Sequence, residues 1–285
     1  MEKNMQFHAK TIREKAKKDF EKTWLETAKL LKVGGRGMYW PKSSGQKHSL
    51  HELNNKFREI FLSYGFNEVE LPSIVAEQEV YKQYGPEAPL ILDRVFYLAG
   101  LPRKELDISK EKKEQIKKIP AVLTLRSHMS ASWFSLLAKM QRTHKLPLKL
   151  FSIGKRYRRE QKQDAYHLYE STSASIVVMA QGITLEDGKD LTRKILQDLR
   201  FEKNKIIPKK TTSKYYAPGT DLEVYIAFKG KEIEVANLGF YSPVPLAKYK
   251  IWYPVLNLGF GVERVAMVLN GVNDIRKLVY PEIYE

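Results

Sequence analysis

Two arginines at the end of a predicted strand are the first residues in this sequence that could do chemistry. The segment FSIGKRYRRE, residues 151–160, places Arg156, Arg158, Arg159 and Glu160 after an apolar run. Alternate residues of a strand share a face, so Arg156 and Arg158 should point together and Arg159 away from them. Two converging guanidinium groups can bind a phosphate, and Glu160 can accept from an amine or a base edge. A solvated basic face is the alternative interpretation.

A second pattern lies near the C-terminus. In VLNLGFGVERVAMVL, Gly259 and Gly261 alternate with apolar residues before a predicted helix begins at Glu263 and Arg264. Glycine lets another backbone or a nucleotide approach a strand closely, and Arg264 stands where it could hold a triphosphate tail. Glycine beside arginine is also common for structural reasons, so this pattern has value mainly in combination with the others.

A third segment, KEIEVANLGFYSP, offers oxygen ligands at the end of a strand. Glu234 and Asn237 suit a magnesium ion that bridges phosphates. Taken alone, Glu234 reads as a surface carboxylate. His48 and His51 also have a metal-like spacing, but no further ligands lie near them and a surface or capping role is favoured.

These side chains need a sheet to position them. Helical stretches separate short β-rich runs, which cover residues 122–125, 148–153, 173–179, 222–228 and 232–236. Several runs are spaced as hairpins, with His167 expected at the start of the strand that follows Glu160. The pattern predicts an α+β fold, an antiparallel sheet flanked by helices, rather than a doubly wound parallel sheet.

The first recognisable unit before the sheet is a helix over about residues 50–64, ended by Gly65 and followed by a strand at 66–71 that Pro72 closes. No glycine-rich phosphate loop of the GxxxxGK or GxGxxG type follows a strand. Side chains would therefore have to hold any bound ATP.

The N-terminal part differs in character. Residues 11–31 predict an amphipathic basic helix, and a joint rich in glycine, proline and serine follows at 34–45. We therefore divide the chain into a basic helical extension with its linker, residues 1–45, and a catalytic domain, residues 46–285. The almost wholly charged stretch 103–118 predicts a solvated connection.

Composition limits the class of protein. Lys and Arg number 49 against 33 Asp and Glu, a net charge of +16, which favours a polyanionic partner such as nucleic acid, although growth at high temperature also enriches lysine. Cysteine is absent, which excludes disulfides, thiolate metal sites and thiol nucleophiles. With no run of eighteen apolar residues and no signal-like N-terminus, we expect a cytoplasmic protein without membrane contact.

Taken in order, these segments resemble the three signature motifs of class II aminoacyl-tRNA synthetases. YGFNEVELPSI resembles motif 1, RYRRE motif 2 and LGFGVERV motif 3. The resemblance implies that Arg158 contacts the α-phosphate of ATP and the acyl carboxylate, that Arg264 binds the γ-phosphate and that Glu160 binds the adenine edge. It also implies Mg²⁺ at Glu234, for which Asn237 is the further oxygen ligand that the strand end offers. His167 lies inside a motif, where it could contact ATP phosphates.

Longer segments narrow the resemblance to the archaeal O-phosphoseryl-tRNA synthetases, which share a subclass with pyrrolysyl-tRNA synthetase. They are VYKQYGPEAPLILDRVFYLAGLPR, LTLRSHMSASWF, LPLKLFSIGKRYRREQ, SKYYAPGT and YSPVPLAKY. In that family small hydroxyl side chains hold the substrate phosphate. The matching amino-acid-binding positions here are Ser130, Ser173, Ser175, Asn237 and Asn257, although Ser173 and Ser175 could also be small residues in a tight space.

The chain departs from that family at several points. Only 21 residues follow Arg264 (285 minus 264), so we expect no C-terminal anticodon-binding domain. Asn237 replaces a threonine that contacts the phosphate, and Ser171 replaces an aromatic residue that stacks on adenine. The stretch 103–119 is shorter than the family's insertion.

The preferred function is ATP- and Mg²⁺-dependent activation of an amino acid, O-phosphoserine or a related anion, with transfer to tRNA by a homodimer or homotetramer assembled through motif 1. One alternative is a stand-alone paralogue that passes the amino acid to a non-tRNA acceptor. Another is a non-catalytic tRNA-binding relic, which Ser171 favours and the retained Arg158, Glu160, Glu234 and Arg264 oppose.

Overall fold

The computed structural model contains two compact units, Met1–Gln46 and Lys47–Glu285. The residues that it describes are 7–31, 42, 44–98, 123–160, 162–210 and 213–284. The predicted joint at 34–45 falls largely outside them, and the charged stretch 103–118 falls wholly outside them. Of the helices in these described ranges, none combines the length and the apolar character needed to cross a bilayer.

In the N-terminal unit, the helix predicted over residues 11–31 is divided. Helix α1, Ala9–Lys18, stops at Asp19, which has an extended backbone. The Asp19 carboxylate accepts a hydrogen bond from the backbone N–H of Lys22 at 3.0 Å and caps helix α2, Phe20–Thr27, which continues as a 3-10 turn over Ala28–Leu31. Aspartate is a preferred N-cap residue, and that preference explains a break that apolar periodicity alone did not reveal.

The described residues of the second unit include nine strands: β1 (Asn67–Glu68), β2 (Ile74–Ala76), β3 (Leu123–Leu125), β4 (Leu148–Tyr157), β5 (Glu170–Met179), β6 (Lys205–Pro208), β7 (Leu222–Phe228), β8 (Lys231–Phe240) and β9 (Val255–Gly261). Seven of them form one sheet in the order β1-β4-β5-β9-β8-β7-β6, and β2 pairs with β3. The predicted antiparallel pairing is confirmed throughout the large sheet except at its edge, where β1 runs parallel to β4.

Eight helices accompany these strands in the described part of the second unit: α3 (Ser49–Ser63), α4 (Gln78–Tyr84), α5 (Ala88–Leu92), α6 (Ser130–Met140), α7 (Leu185–Asp198), α8 (Pro243–Lys248), α9 (Val262–Leu269) and α10 (Ile275–Val279). Helix α3 agrees with the prediction, and Gly65 follows it with a φ of 76°, a conformation that favours glycine. The strand predicted at 66–71 is reduced to two residues.

One face of the large sheet is apolar and carries the main core. Ile176, Leu258 and Phe260 point to this face and are almost fully buried. Helix α3 covers it with Phe57, whose ring centroid lies 5.2 Å from that of Phe260, and with Phe61, which meets Phe151 at the same distance. This packing holds the sheet firmly, so side chains on the other face are presented from a rigid base.

The other face is half covered and half open. Val177 and Leu150 join a second core cluster with Trp133 and Phe134 of helix α6, which covers one end of this face. Farther along the same strands, the residues become small or polar and the covering cluster ends. This change in residue size leaves a cleft over the middle of the sheet.

Candidate active site

Glycines and serines form the floor of the cleft. In the pairing of β4 with β5, Gly154 lies opposite Ser173 and Ser152 opposite Ser175. In the pairing of β5 with β9, Ser175 lies opposite Gly259. Residues directly opposite each other share a face, so these small side chains lie together and leave room above the sheet.

The cleft has a volume of about 250 Å³ and contains most of the residues that the sequence singles out. Eight of the ten predicted site residues line it: Ser130, Arg158, Ser173, Ser175, Glu234, Asn237, Asn257 and Arg264. They come from β5, β8 and β9, from the first turns of α6 and α9, and from the segment just after β4. Four cations, Arg156, Arg158, Lys209 and Arg264, face one lining carboxylate, Glu234, among the described residues.

A β-bulge turns Glu234 toward this cleft. Strict alternation from Asn237 would point Glu234 to the apolar face. Instead, the consecutive residues Val224 and Tyr225 pair with Ala236 and Glu234, so Val235 is the extra residue on β8. Both Val235 and Ala236 are buried in the main core, and Glu234 therefore lies on the cleft side. Bulges commonly re-aim a side chain beside a functional site.

Glu234 and Arg264 form an ion pair across the open end of the cleft. Arg264 Nη1 lies 3.1 Å from Glu234 Oε2 and 3.2 Å from the Glu234 carbonyl oxygen. Both side chains are partly exposed. Arg264 is thus held at the rim in a fixed direction while it keeps guanidinium N–H groups for a ligand.

Arg156 and Arg158 lie side by side, as strand alternation predicts. Arg156 Nε donates to Ser171 Oγ at 2.9 Å, and Arg158 Nε donates to the Ser127 carbonyl at 3.2 Å. Burial, followed by repulsion from Arg158, lowers the pKa of Arg156 to about 9, a value at which it stays charged at neutral pH. Such crowding of cations indicates an anion site, because a bound anion relieves the repulsion.

Glu263 is a buried acidic residue close to this pair of arginines. Its side chain is buried, and Oε1 accepts from the backbone N–H of Thr172 at 2.6 Å. Burial raises its pKa, while the charge of Arg156 opposes the rise. The carboxylate therefore anchors α9 to β5 beside the guanidinium groups rather than lining the cleft.

A hydrogen-bonded chain of five side chains lies under the amino-acid end of the cleft. Asn237 Nδ2 donates to the Tyr216 hydroxyl at 3.1 Å, which donates to Asn257 Oδ1 at 2.6 Å. Asn257 Nδ2 reaches Ser175 Oγ at 3.3 Å, and Trp133 Nε1 donates to the same Oγ at 3.0 Å. Strand patterning cannot find Tyr216 or Trp133, since both lie in apolar surroundings and read as core residues.

Ser130 and His128 complete the wall formed by the start of α6. Ser130 Oγ is buried and, within the described ranges, has no hydrogen-bond partner, so it is available to a ligand. His128 Nδ1 lies 3.0 Å from Ser127 Oγ. Burial, then the charges of Arg158, Arg156 and Lys209, hold the pKa of His128 well below its usual value, so the imidazole is neutral at pH 7.

Glu160 and His167 lie outside the cleft, in the connection between β4 and β5. His167 is exposed and its Nδ1 lies 2.8 Å from Asp164 Oδ1, and strand β5 starts three residues later than expected, at Glu170. The nucleotide roles of Glu160 and His167 stay predictions. Arg159 points away, as expected, and its Nη2 donates to Asp93 Oδ1 at 3.0 Å.

The donor set at the cleft fits magnesium shared with phosphates better than a closed metal site. No group of three or more His, Cys, Asp or Glu side chains suited to a metal occurs among the residues of the described ranges. Glu234 supplies a carboxylate. Asn237 Oδ1 faces the cleft above Gly259, because it lies 3.4 Å from the position that a Cβ on that glycine would take. Mg²⁺ typically takes one or two protein oxygens and completes its shell with water and substrate phosphates.

The chain is similar to known proteins over most of its length. Residues 37–284 match the family described as tRNA synthetases class II core domain (F). The O-phosphoserine–tRNA(Cys) ligase of Methanocaldococcus jannaschii is 38% identical, across 99% of this chain and 64% of that protein. The ligase of the same name from Methanopyrus kandleri is 36% identical, across 95% of this chain and 64% of its own length. This chain thus spans somewhat under two thirds of these relatives.

Among solved structures, the pyrrolysyl-tRNA synthetase of Desulfitobacterium hafniense is similar in fold. The alignment has a TM-score of 0.63 and 23% sequence identity, and covers 90% of this chain and 75% of that one. At this identity the likeness concerns the fold alone. It confirms the predicted arrangement of a sheet with flanking helices.

Proposed function

The chain belongs to the class II tRNA synthetase core-domain family, and on that premise we propose that it activates O-phosphoserine with ATP and transfers it to tRNA. The observation that carries the proposal is the cleft itself, in which four cations, Arg156, Arg158, Lys209 and Arg264, stand over a floor of serines and asparagines. ATP and phosphoserine are both polyanions, and such a site suits both. The names of the similar ligases support the same substrate.

In the proposed reaction, a carboxylate oxygen of the amino acid attacks the α-phosphorus of ATP. The bond from that phosphorus to the bridging oxygen breaks, and the products are the aminoacyl-adenylate and pyrophosphate. Arg158 holds the carboxylate against the α-phosphate, Arg264 binds the γ-phosphate, and Glu160 and His167 contact the adenine edge and the phosphates. Catalysis then depends on positioning and on neutralising the charge that develops at phosphorus.

Glu234 and Asn237 would hold Mg²⁺ at the rim. When bound, the ion neutralises phosphate oxygens and orients the pyrophosphate group. The ion pair between Glu234 and Arg264 keeps both side chains directed to the same end of the cleft. This pairing supports assigning the triphosphate tail to that end.

The phosphoserine side chain would occupy the opposite end, against Ser130, Ser173, Ser175 and Asn257. Hydroxyl groups donate to a phosphate dianion without adding fixed charge, and Asn257, whose amide group donates to Ser175 Oγ and to the Ile176 carbonyl, holds Ser175 in place. Ser130 Oγ, which is buried and without a partner among the described residues, supports a ligand in this position. The second step follows when the terminal ribose hydroxyl of tRNA attacks the acyl carbon and AMP leaves.

The charge of the chain supports tRNA as the acceptor. The net charge is +16, and helix α1 of the N-terminal unit carries four lysines and one arginine. We assign residues 1–45 to tRNA backbone contact and residues 46–285 to catalysis, in a homodimer or homotetramer assembled through α3 and β1. A polyanion held by its backbone gives binding that weakens strongly with salt.

Ser171 favours a second candidate, a non-catalytic tRNA-binding relic. It stands at the motif position that an adenine-stacking aromatic occupies in the phosphoserine family, and here its hydroxyl accepts from Arg156 Nε at 2.9 Å. Loss of a stacking ring weakens ATP affinity without affecting a basic surface.

Amino-acid-dependent exchange between ATP and pyrophosphate separates these candidates. The panel includes O-phosphoserine, with and without total tRNA. Exchange with O-phosphoserine, followed by charging of tRNA, is the expected result. Retention of tRNA without exchange for any amino acid would support the relic, and exchange without charging would indicate a non-tRNA acceptor.

A further inference from the structure

A fully buried tryptophan donates to a serine of the cleft. Trp133 Nε1 lies 3.0 Å from Ser175 Oγ, and Asn257 Nδ2 lies 3.3 Å from the same atom. Trp133 is completely inaccessible, whereas Ser175 lines the cleft. The ring therefore contacts no substrate, yet it determines what the serine can do.

The number of protons at Ser175 fixes its role. A hydroxyl can accept two hydrogen bonds and donate one. Two N–H donors fill both acceptor positions, so only the O–H proton is left. Ser152, which lies directly opposite in the sheet, makes no hydrogen bond to Ser175. Among the described residues no acceptor takes this proton, and Ser175 is left as a donor to whatever fills the cleft.

Asn257 and Asn237, the two asparagines in this series of hydrogen bonds, each have a side-chain amide that fits in one orientation. Asn257 Nδ2 also donates to the Ile176 carbonyl at 2.9 Å, and its Oδ1 accepts from Tyr216 at 2.6 Å, so a flipped amide would lose both contacts. Burial raises the pKa of the Tyr216 phenol well above its usual value, which keeps the proton in place. Tyr216 must then accept from Asn237 Nδ2, and Asn237 Oδ1 is left as an acceptor over Gly259.

We propose that Trp133 and Tyr216 are positioning residues that make Ser175 an obligate donor and Asn237 an obligate acceptor, so that the cleft selects an anionic side chain at Ser175. The inference rests on the proposed function, because it explains how that site would prefer O-phosphoserine to serine. Neither aromatic residue touches substrate. Each aromatic residue donates a hydrogen bond that orients a polar side chain of the cleft. A residue that only packed in the core would not need this hydrogen bond.

Trp133→Phe keeps an aromatic ring in the core and removes only the N–H and part of the ring. We expect the KM for O-phosphoserine in pyrophosphate exchange to rise about tenfold, with the KM for ATP unchanged and a lower preference over serine. In a Ser175→Ala background, Trp133→Phe should not raise the KM for O-phosphoserine any further. Trp252→Phe, at an exposed tryptophan, is the matched control and should leave all constants unchanged.

Tyr216→Phe provides a second variant if Trp133→Phe does not fold, because it removes one oxygen atom. The KM for O-phosphoserine should again rise, and half-saturation by Mg²⁺ should also move to higher concentration, because the Tyr216 hydroxyl orients Asn237 as well as Asn257. Equal losses for ATP and O-phosphoserine, or a loss from Trp133→Phe that adds in full to that of Ser175→Ala, would show that these rings only pack, and would overturn the inference.

Calorimetric titration with inorganic phosphate separates this inference from the proposed function. Wild type should bind phosphate, and Trp133→Phe and Ser175→Ala should bind it about tenfold more weakly. If wild type shows no exchange with O-phosphoserine, the proposed function fails and the phosphate titration still decides the inference. If wild type binds no phosphate, or if both variants bind it as well as wild type, Trp133 does not make Ser175 a hydrogen-bond donor to the ligand. The inference is then wrong.

Discussion

Arg264 Nη1 and Glu234 Oε2 lie 3.1 Å apart, and this pair joins the first turn of α9 to a bulged strand. Without the extra residue Val235, Glu234 would face the apolar core and the pair could not form. The pair therefore links a backbone irregularity to the direction of the two side chains proposed for the metal and the γ-phosphate. Under the proposed function Glu234 has two roles, one toward Arg264 and one toward magnesium.

Glu234→Gln keeps the shape of the side chain and removes its charge. We expect exchange to fall on the order of 100-fold and half-saturation by Mg²⁺ to move to higher concentration. A magnesium titration of exchange measures both effects. Glu232→Gln, two residues earlier on β8 and paired on the surface with Lys205, should change neither. An unchanged magnesium dependence in Glu234→Gln would contradict the assignment.

Gly259 and Gly188 predict opposite outcomes on substitution by alanine. A Cβ on Gly259 would stand 3.4 Å from Asn237 Oδ1 and 3.9 Å from Ser173 Oγ, so it would occupy the cleft without a clash. A Cβ on Gly188 would stand 2.8 Å from Leu256 Cδ2 in the core. Gly259→Ala should raise the KM for the amino acid at least tenfold and leave stability intact.

Gly188→Ala should lower the free energy of unfolding by about 1–3 kcal/mol and leave the KM unchanged. Urea unfolding and exchange kinetics on both variants test the pair of predictions. If Gly259→Ala unfolded more easily while its KM for the amino acid stayed normal, the glycine would have a structural role and the amino acid would bind elsewhere.

His128 predicts how stability depends on pH. Its native pKa lies well below the ordinary value, through burial first and then through Arg158, Arg156 and Lys209. The unfolded chain therefore binds a proton here that the native protein does not, below about pH 6.5. Stability then rises with pH across this window and is lost as the pH falls, by up to about 1.4 kcal/mol per pH unit.

Urea unfolding at pH 7 and pH 5.5, on wild type and His128→Gln, measures this contribution. The variant should lose less stability on acidification than wild type. Glu263 has the opposite slope at lower pH, because burial raises its pKa, and it is present in both proteins. The same acid sensitivity in both proteins would rule out a His128 that stays neutral in the native protein.

The last turn of α1 tests tRNA binding separately from activation. Lys15, Lys17 and Lys18 lie there on a surface helix. Their joint replacement by Ala should weaken tRNA binding and make the slope of log K against log salt shallower by about 2 to 3. Exchange without tRNA should stay unchanged. A control with Lys189 and Lys194 replaced, which form similar surface ion pairs but lie on α7 of the second unit, should bind tRNA as wild type does.

Much of the fold was predictable because alternation and turn signals are local. The run 222–228 matches β7 in full, and Arg156 and Arg158 share a face because strand geometry requires it. The bulge at Val235 was not predictable, since Val235 and Ala236 look like any apolar pair on a strand. Residue type and family resemblance both pointed to Glu234, while simple alternation places it on the wrong face.

The series of hydrogen bonds that links Trp133 to Asn237 could not be predicted from the sequence, for a different reason. Hydrogen bonds between segments far apart in the sequence depend on tertiary contacts, and a tryptophan or tyrosine that packs in a hydrophobic cluster looks like a core residue. Trp133 and Ser175 are 42 residues apart. Only the folded sheet brings them together, so no local pattern could report the pair.

The most direct test of the central claim compares neighbouring arginines in exchange with O-phosphoserine. Arg158 lines the cleft, whereas Arg159 points away and pairs with Asp93 on the surface. Wild type and Arg159→Ala should exchange at similar rates, and Arg158→Ala should lose activity by at least 100-fold. No exchange by wild type, or equal activity in Arg158→Ala and Arg159→Ala, would contradict activation of phosphoserine in this cleft.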